Sequence, residues 1–380
     1  VRTSADALLS VINDILDFSK IEAGKLHLEP IDFELRDALA DMLNTLATRA
    51  HSKGLELAYH VPANVPDALI GDVYRLRQIV MNLVGNAIKF TDSGEVVVRV
   101  ETVEELEPQD RETIELHFTV TDTGMGIPPE KLDAIFQPFE QADVSTTREF
   151  GGTGLGLTIT VQLIQLMEGR IWADSIEGQG STFHLTAKFG VGQARRTMDD
   201  PNRKELFDAL HVLIVDDNET NRRIYTEMLG NWGMDAHSVA SAAEALTSLD
   251  CASSAGKPFR LVISDVNMPE MDGFELFEQV QSSSHRDLPF ILLTSGTRDI
   301  TRSREIGVAA HLMKPVKQSL LMNEIVNAVA GWETATAVVP VESGITAPVP
   351  SERVLRILLA EDNATNQKFA VRALEKTGHS

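Results

Sequence analysis

Phe150-Gly151-Gly152-Thr153-Gly154-Leu155-Gly156-Leu157 puts four glycines into six positions directly before an apolar helical pattern. Glycine lets the backbone turn tightly and bring N–H groups against an anion, and the following helix adds the positive end of its dipole. By itself the run is either a phosphate cradle or an ordinary glycine-rich turn. No Gly-Lys-Ser/Thr closes it, as a P-loop requires, and no ribose-binding acid is set up as in a dinucleotide fingerprint. Its neighbours on either side decide the matter.

Upstream, Asn82, Asn86 and Lys89 stand four and three apart in a helical pattern, so all three share one face. Two amides and an ammonium on one face either form a solvated surface or hold a hydrated Mg²⁺ and nearby phosphates. Between them and the glycine run, Asp122-Thr123-Gly124-Met125-Gly126-Ile127 follows an apolar strand. A carboxylate there can accept from an exocyclic amine, and Gly124 and Gly126 leave room for a flat ring. The three patterns together specify a nucleotide site that none specifies alone.

The surrounding residues 26–189 mix strands (Glu95–Val103, Ile114–Thr121) with helices (Leu35–His51, Val73–Lys89, Leu157–Glu168) without a regular βαβ repeat. This predicts an α+β sandwich with helices on one face of a mixed sheet. Residues 1–25 carry a broad apolar helical stripe, Leu8, Leu9, Val11, Ile12, Ile15, Leu16, Phe18 and Ile21. A stripe this wide predicts one helix of a bundle whose other half lies upstream or in a second subunit; the alternative is a single helix lying on the next domain.

The chain of 380 residues carries a formal charge of −22 and 43% hydrophobic residues. Several packed domains are expected, and the charge argues against non-specific binding to nucleic acid or anionic membrane. The single cysteine, Cys251, excludes an internal disulfide framework and fits a reducing, cytoplasmic compartment as a small buried or tolerated side chain. No apolar run approaches the ~18–20 residues of a membrane span. Val1 and the interrupted final pattern suggest a fragment, so membrane anchoring by an upstream region stays open.

On these motifs, residues 1–189 resemble the ATP-binding part of a sensor histidine kinase, of the gyrase, Hsp90, kinase and MutL superfamily. The likeness runs through the asparagine box Gln78–Phe90, the glycine box at Asp122, Phe136-Gln137-Pro138-Phe139 in a lid, the glycine run, and Gly178-Gln179-Gly180-Ser181-Thr182-Phe183. The resemblance implies Asn86 as a Mg²⁺ ligand, Asn82 and Lys89 at the phosphates, Asp122 reading adenine, Thr182 beside it and Arg148 in the lid. Gly152, Gly154, Leu155 and Gly156 would line the same ATP site. Ile15-Leu16-Asp17-Phe18-Ser19-Lys20-Ile21-Glu22-Ala23-Gly24 looks like the second helix of the family's dimerisation bundle, implying a homodimer in the intact protein. None of the ten histidines has the family's acceptor setting, and His27, His51 and His60 read as surface or satisfied residues.

After a linker at 190–208 the grammar changes. Val212–Val215, Asp235–Val239, Leu261–Ser264, Phe290–Thr294 and Ala310–Met313 alternate with helical patterns over residues 209–331, a doubly wound, flavodoxin-like parallel sheet. Asp216, Asp217, Asp265, Thr294 and Lys314 all fall at strand ends, where such sheets bind ligands. Three converging carboxylates call for a divalent cation, and one can then attack phosphorus. This half resembles a response-regulator receiver, with Asp265-Val266-Asn267-Met268-Pro269-Glu270-Met271-Asp272-Gly273 carrying the likeness. The resemblance implies Asp265 as phosphoacceptor, Asp217, Asp216 and the Asn267 carbonyl on Mg²⁺, and Thr294 and Lys314 on the phosphoryl group. His311 replaces the usual aromatic switch residue.

A second linker spans 332–353, and Ile357–Asn366 then echoes Val212–Asn221 at an offset of 145 residues, so 354–380 reads as the start of a second receiver. The expectation is a hybrid sensor histidine kinase of a phosphorelay, using ATP and Mg²⁺ and passing phosphate to a histidine phosphotransfer domain or response regulator. The rivals are a nucleotide-sensing scaffold, a phosphatase-biased pseudokinase and a clamp-type ATPase.

Overall fold

The computed structural model describes residues 16, 19–21, 23–103, 112–132, 134–137, 155–193, 206–208, 210–296 and 307–336. Most of the expected bundle helix, the lid beyond Gln137 with Arg148, Phe150–Gly154 and the second receiver lie outside the described residues.

The first sheet comprises β1 (Ile31–Glu34), β2 (Glu56–His60), β3 (Ala68–Gly71), β4 (Glu95–Thr102), β5 (Thr113–Asp122), β6 (Ile171–Ile176) and β7 (Gly180–Val191). Its order is β1-β3-β7-β5-β4-β2, with β6 also on β7. β2 and β4 run parallel and the other pairs antiparallel, so the sheet is mixed as expected. β5 alternates strictly: Ile114, Leu116, Phe118, Val120 and Asp122 are buried. That period of two points one face into a core built with α1 (Leu35–Ser52), α2 (Val73–Phe90) and α3 (Gly156–Leu166). The opposite face carries the stacked rings of His117, Trp172 and His184.

α2 starts where it does because Asp72 caps it, its carboxylate accepting from the N–H groups of Tyr74 and Arg75 at 3.1 and 3.0 Å. Leu76, Ile79, Val80, Leu83, Val84, Ala87 and Ile88 then fill the core at helical spacing. Asn82, Asn86 and Lys89 are left off that stripe.

α3 ends two residues before the expected Glu168. The Gly169 N–H reaches back to the Ile164 carbonyl at 2.9 Å, while Glu168 takes a left-handed φ of 55°. Glycine would suit that φ better, but glycine is needed one residue later, where a Cβ would land on the Thr186 carbonyl oxygen.

The second sheet, order β12-β11-β10-β8-β9, is wholly parallel: β8 (His211–Val215), β9 (Asp235–Val239), β10 (Leu261–Asp265), β11 (Phe290–Thr294) and β12 (Ala310–Met313). Successive residues of β8, β10 and β11 feed two separate cores. One is shared with α4 (Glu219–Asn231) and α7 (Gln318–Thr336), the other with α5 (Ala242–Ser254) and α6 (Gly273–Gln281). Burial on both faces is why these strands read as unbroken apolar runs. Cys251 is exposed on α5.

Gly169→Ala is expected to destabilise the first domain by ~2–4 kcal/mol, the range for backbone collisions, whereas Glu168→Gly should stabilise it by up to ~1 kcal/mol. Chemical denaturation of the two variants checks this pair; a neutral Gly169→Ala would overturn the packing argument.

Candidate functional sites

The first site forms where α2, α3 and the ends of β5 and β7 meet. Asn82 Nδ2 donates to Thr160 Oγ1 at 2.9 Å, and Asn86 Nδ2 approaches Asn82 Oδ1 at 3.4 Å. A Cβ on Gly156 would lie 2.5 Å from Asn82 Oδ1. The asparagine helix and the last glycine of the run are therefore in direct contact. Lys89 extends over the Phe90 ring, 4.8 Å from its centroid, and partial burial together with Arg49 lowers its pKa.

Asp122 ends β5 nearly buried, its Oδ1 accepting from the Gly124 N–H at 2.8 Å. Burial raises its pKa, against hydrogen bonds from the backbone of Gly124 and Ser181. Gly124 and Gly126 are required by the protein's own backbone: a Cβ would strike the Phe90 carbonyl at the first and the Ile176 carbonyl at the second, where φ is +72°. They build a rigid floor beside Asp122.

Thr182 is not brought to that floor. It pairs with Thr121, Oγ1 to Oγ1 at 3.2 Å, whereas Asp122 pairs with Ser181. Directly opposed residues share a face and successive residues alternate, so Thr182 lies on the other side of the sheet from Asp122. Ser181, missed in the sequence, is the hydroxyl beside the carboxylate, and its one-residue offset from Thr182 is the signal that period-2 counting would have supplied. Leu155 is buried and Gly156 opens α3; Gly152, Gly154 and Arg148 lie outside the described residues.

The second site lies beyond the carboxyl ends of β8, β10, β11 and β12, at the point where strand order reverses. Lys314, 1% exposed, places Nζ 2.8 Å from Asp265 Oδ2 and 2.9 Å from Asp216 Oδ2. Burial alone would lower the Lys314 pKa, but Asp265, Asp216 and Glu56 outweigh it and hold the group charged. Burial pushes Asp216 up to about 6, with Lys314 acting the other way; burial and Asp265 also raise exposed Asp217. Asp216, Asp217 and Asp265 each offer an oxygen within 4.8 Å of the other two. Hard oxygen donors converging at that spacing fit Mg²⁺.

Thr294, fully buried, exchanges hydrogen bonds with Gly296 at 3.0 and 3.2 Å. The Asn267 N–H donates to Asp265 Oδ1 at 3.3 Å. His311 sits on β12, partly buried. Asp216, Asp217, Asp265 and Lys314 thus meet in one cluster, and the Lys314 N–H ties it to the Thr294 carbonyl at 2.8 Å.

Two further residues join them. Asn221 Nδ2 donates to Asp216 Oδ2 at 3.2 Å and to Glu56 Oε1 at 2.8 Å. Asn366 repeats Asn221 in the internal echo, a readable signal. Glu56 belongs to β2 of the first sheet and stands 3.3 Å from Lys314 Nζ. His60 is satisfied as expected, its Nε2 facing Glu227 of α4 at 3.1 Å, whereas His51 departs from the expectation, its Nε2 buried among the described residues without a hydrogen-bond partner.

Residues 71–191 match the family of histidine kinase-, DNA gyrase B- and HSP90-like ATPases, and residues 212–326 match the response regulator receiver domain. The autoinducer 2 sensor kinase/phosphatase LuxQ of Vibrio vulnificus is 35% identical over 85% of this chain and 38% of its own length. The sensory/regulatory protein RpfC of Xanthomonas campestris is 31% identical over 90% of this chain and 50% of its own. The sensor protein GacS of Pseudomonas syringae is 45% identical over 62% of this chain and 25% of its own. The chain thus spans half or less of these curated relatives. A crystal structure of full-length ShkA in complex with AMPPNP superposes with a TM-score of 0.67 at 28% identity, covering 100% of this chain and 72% of that one. The chain belongs to the hybrid sensor histidine kinases, joining an ATPase domain of the histidine kinase, gyrase B and HSP90 type to a response-regulator receiver.

Proposed function

We propose that this chain is the kinase and receiver part of a phosphorelay, in which ATP bound between α2, α3 and Asp122 phosphorylates a bundle histidine and Asp265 takes the phosphoryl group from it. The observation that carries the reading is the Lys314 ammonium, buried within 2.9 Å of Asp265 and Asp216 at the strand ends. In the transfer, an Asp265 oxygen forms a bond to phosphorus as the bond from the donor imidazole nitrogen breaks, and the imidazole regains its proton from water. Lys314 and Thr294 offer an ammonium and a hydroxyl to the phosphoryl oxygens in flight. Asp216, Asp217, Asp265 and the Asn267 carbonyl would hold Mg²⁺ here, and Asn86 would hold it in the ATP site; the cation neutralises carboxylate and phosphate charge.

For the nucleotide, Asp122 accepts from the adenine amine, with Ser181 as the nearest hydroxyl. The intact protein would dimerise through the bundle helix and hand phosphate to a histidine phosphotransfer domain or response regulator. LuxQ is named a sensor kinase/phosphatase, and the same residues would serve the return of phosphate.

Incubating the chain with Mg²⁺, γ-labelled ATP and a separately supplied acceptor helix should give acid-labile label on the helix and hydroxylamine-labile label on the chain. Asp265→Asn should abolish the second; label persisting on that variant at the same stoichiometry would sink the assignment. Asn86→Ala should weaken ATP binding at least ~10-fold, the ~1.4 kcal/mol of one lost metal or phosphate contact, read by calorimetric titration. Equal affinity would remove Asn86 from the site. Mg²⁺ affinity of the receiver should fall as pH drops through about 6, because Asp216 must lose its proton to ligate. The loss approaches ~10-fold per pH unit below that point, measured by Mg²⁺ titration from pH 7.5 to 5. A flat profile would exclude Asp216.

A further inference from the structure

The receiver's phosphoacceptor face lies against the edge strand of the ATPase sheet, and Glu56 from that strand is bonded into the acceptor pocket. Among the described residues β2 is the last strand of its sheet, so one edge of its backbone pairs with no strand and needs cover. Ala58 of β2 is buried in the same cluster as Tyr225, Met228 and Val316 of the receiver. Tyr59 Oη donates to the Val316 carbonyl at 3.2 Å, and a cavity of only ≈ 10 Å³ remains between the two surfaces.

Apart from Tyr59 and the His60–Glu227 pair, the side-chain polar contacts around this apolar seam run one way among the described residues. Glu56 accepts from Lys314 and Asn221. Glu95 accepts from Asn218 Nδ2 and Thr220 Oγ1, both at 3.0 Å. Asp37 accepts from Ser319, and Asp37 and Asp41 take Lys317 at 3.2 and 3.3 Å. In each, the ATPase domain supplies a carboxylate and the receiver a donor.

Lys314 is thereby engaged by three carboxylates, of which Glu56 is the only one from outside the receiver. A phosphoryl group on Asp265 adds up to two negative charges and needs that ammonium. It would meet Glu56 as a like charge and compete with it for Lys314.

We propose that the Glu56-bearing edge of the ATPase sheet is a docking surface for the receiver's own unphosphorylated acceptor face, so that docking and phosphorylation of Asp265 exclude one another. Docking shields Asp265 from phosphodonors; phosphorylation expels Glu56 and frees β2, by the same factor in each direction at equilibrium. The proposal rests on the reading of Asp265 as acceptor.

The test labels the whole chain with a radioactive acyl phosphate and Mg²⁺, in wild type, Glu56→Gln and Lys317→Glu. Transfer forms the Asp265 oxygen–phosphorus bond and releases the carboxylate of the donor. Glu56→Gln removes the competitor, whereas Lys317→Glu repels Asp37 and Asp41 without touching the pocket. Both should take label at least about threefold faster than wild type, a ~0.7 kcal/mol change in barrier. Hydrogen exchange at Glu56–His60 should also rise in labelled wild type. Equal initial rates in the three chains overturn the proposal and leave Asp265 as acceptor. Faster labelling of Glu56→Gln alone also overturns docking, since only the pocket's charge would then matter. Absence of label in all three removes the acceptor reading itself, and the proposal with it.

Discussion

A buried ammonium among three carboxylates, Lys314 against Asp265, Asp216 and Glu56, is the constraint on which the receiver and its contact with the ATPase domain both depend. Taking a charge out of water costs several kcal/mol, and the attraction repays this only where partners are fixed and fully bonded. The parallel sheet provides that fixity, since adjacent strands end at the same level and deliver their carboxylates within 4.8 Å of one another. One ammonium cannot balance them. Burial, against Lys314 and with Asp265 adding to it, pushes Asp216 up to about 6, and a divalent cation is the neutralisation that leaves Asp265 free to act.

Much of this was legible in the sequence, for physical reasons that also mark the limits. Phe290–Thr294 carries the bounds expected of it, because burial on both faces of a parallel sheet writes a continuous apolar run. The strand ends then locate Asp216, Asp265, Thr294 and Lys314 without further information. Glu56 was not legible, since nothing local to β2 says that a domain more than 150 residues later will cover it. One trace remains: Leu57, Ala58 and Tyr59 are buried in succession, and an edge strand packed on one face alone would alternate. Three consecutive apolar residues in a short edge strand were the sign of cover on a second side.

The nucleotide site divides differently. Asn82, Asn86 and Lys89 could be read from helical spacing because a helix keeps i, i+4 and i+7 on one face whatever packs against it. Thr182 could not be placed by motif, because in a strand a shift of one residue reverses the face, and the pairing of Asp122 with Ser181 sends Thr182 to the far side. The glycines at 124 and 126 were read as room for a ligand. Their missing Cβ atoms instead admit the Phe90 and Ile176 carbonyls, so the floor under Asp122 is set before any nucleotide arrives.

The charge of the chain gives the contact between the two domains its character. With a net −22, two acidic surfaces must meet, and they do so by segregating roles: carboxylates from Asp37, Asp41, Glu56 and Glu95 on one side, donors from Asn218, Thr220, Asn221, Lys314, Lys317 and Ser319 on the other. Only His60 against Glu227 and Tyr59 against Val316 run the other way among the described residues. A contact so arranged tolerates the background repulsion while its donors stay unclaimed. Because Lys314 is both the pocket's charge balance and the innermost of those donors, any group that claims it within the receiver withdraws it from the interface. The chemistry at Asp265 and the hold on β2 therefore draw on the same positive charge.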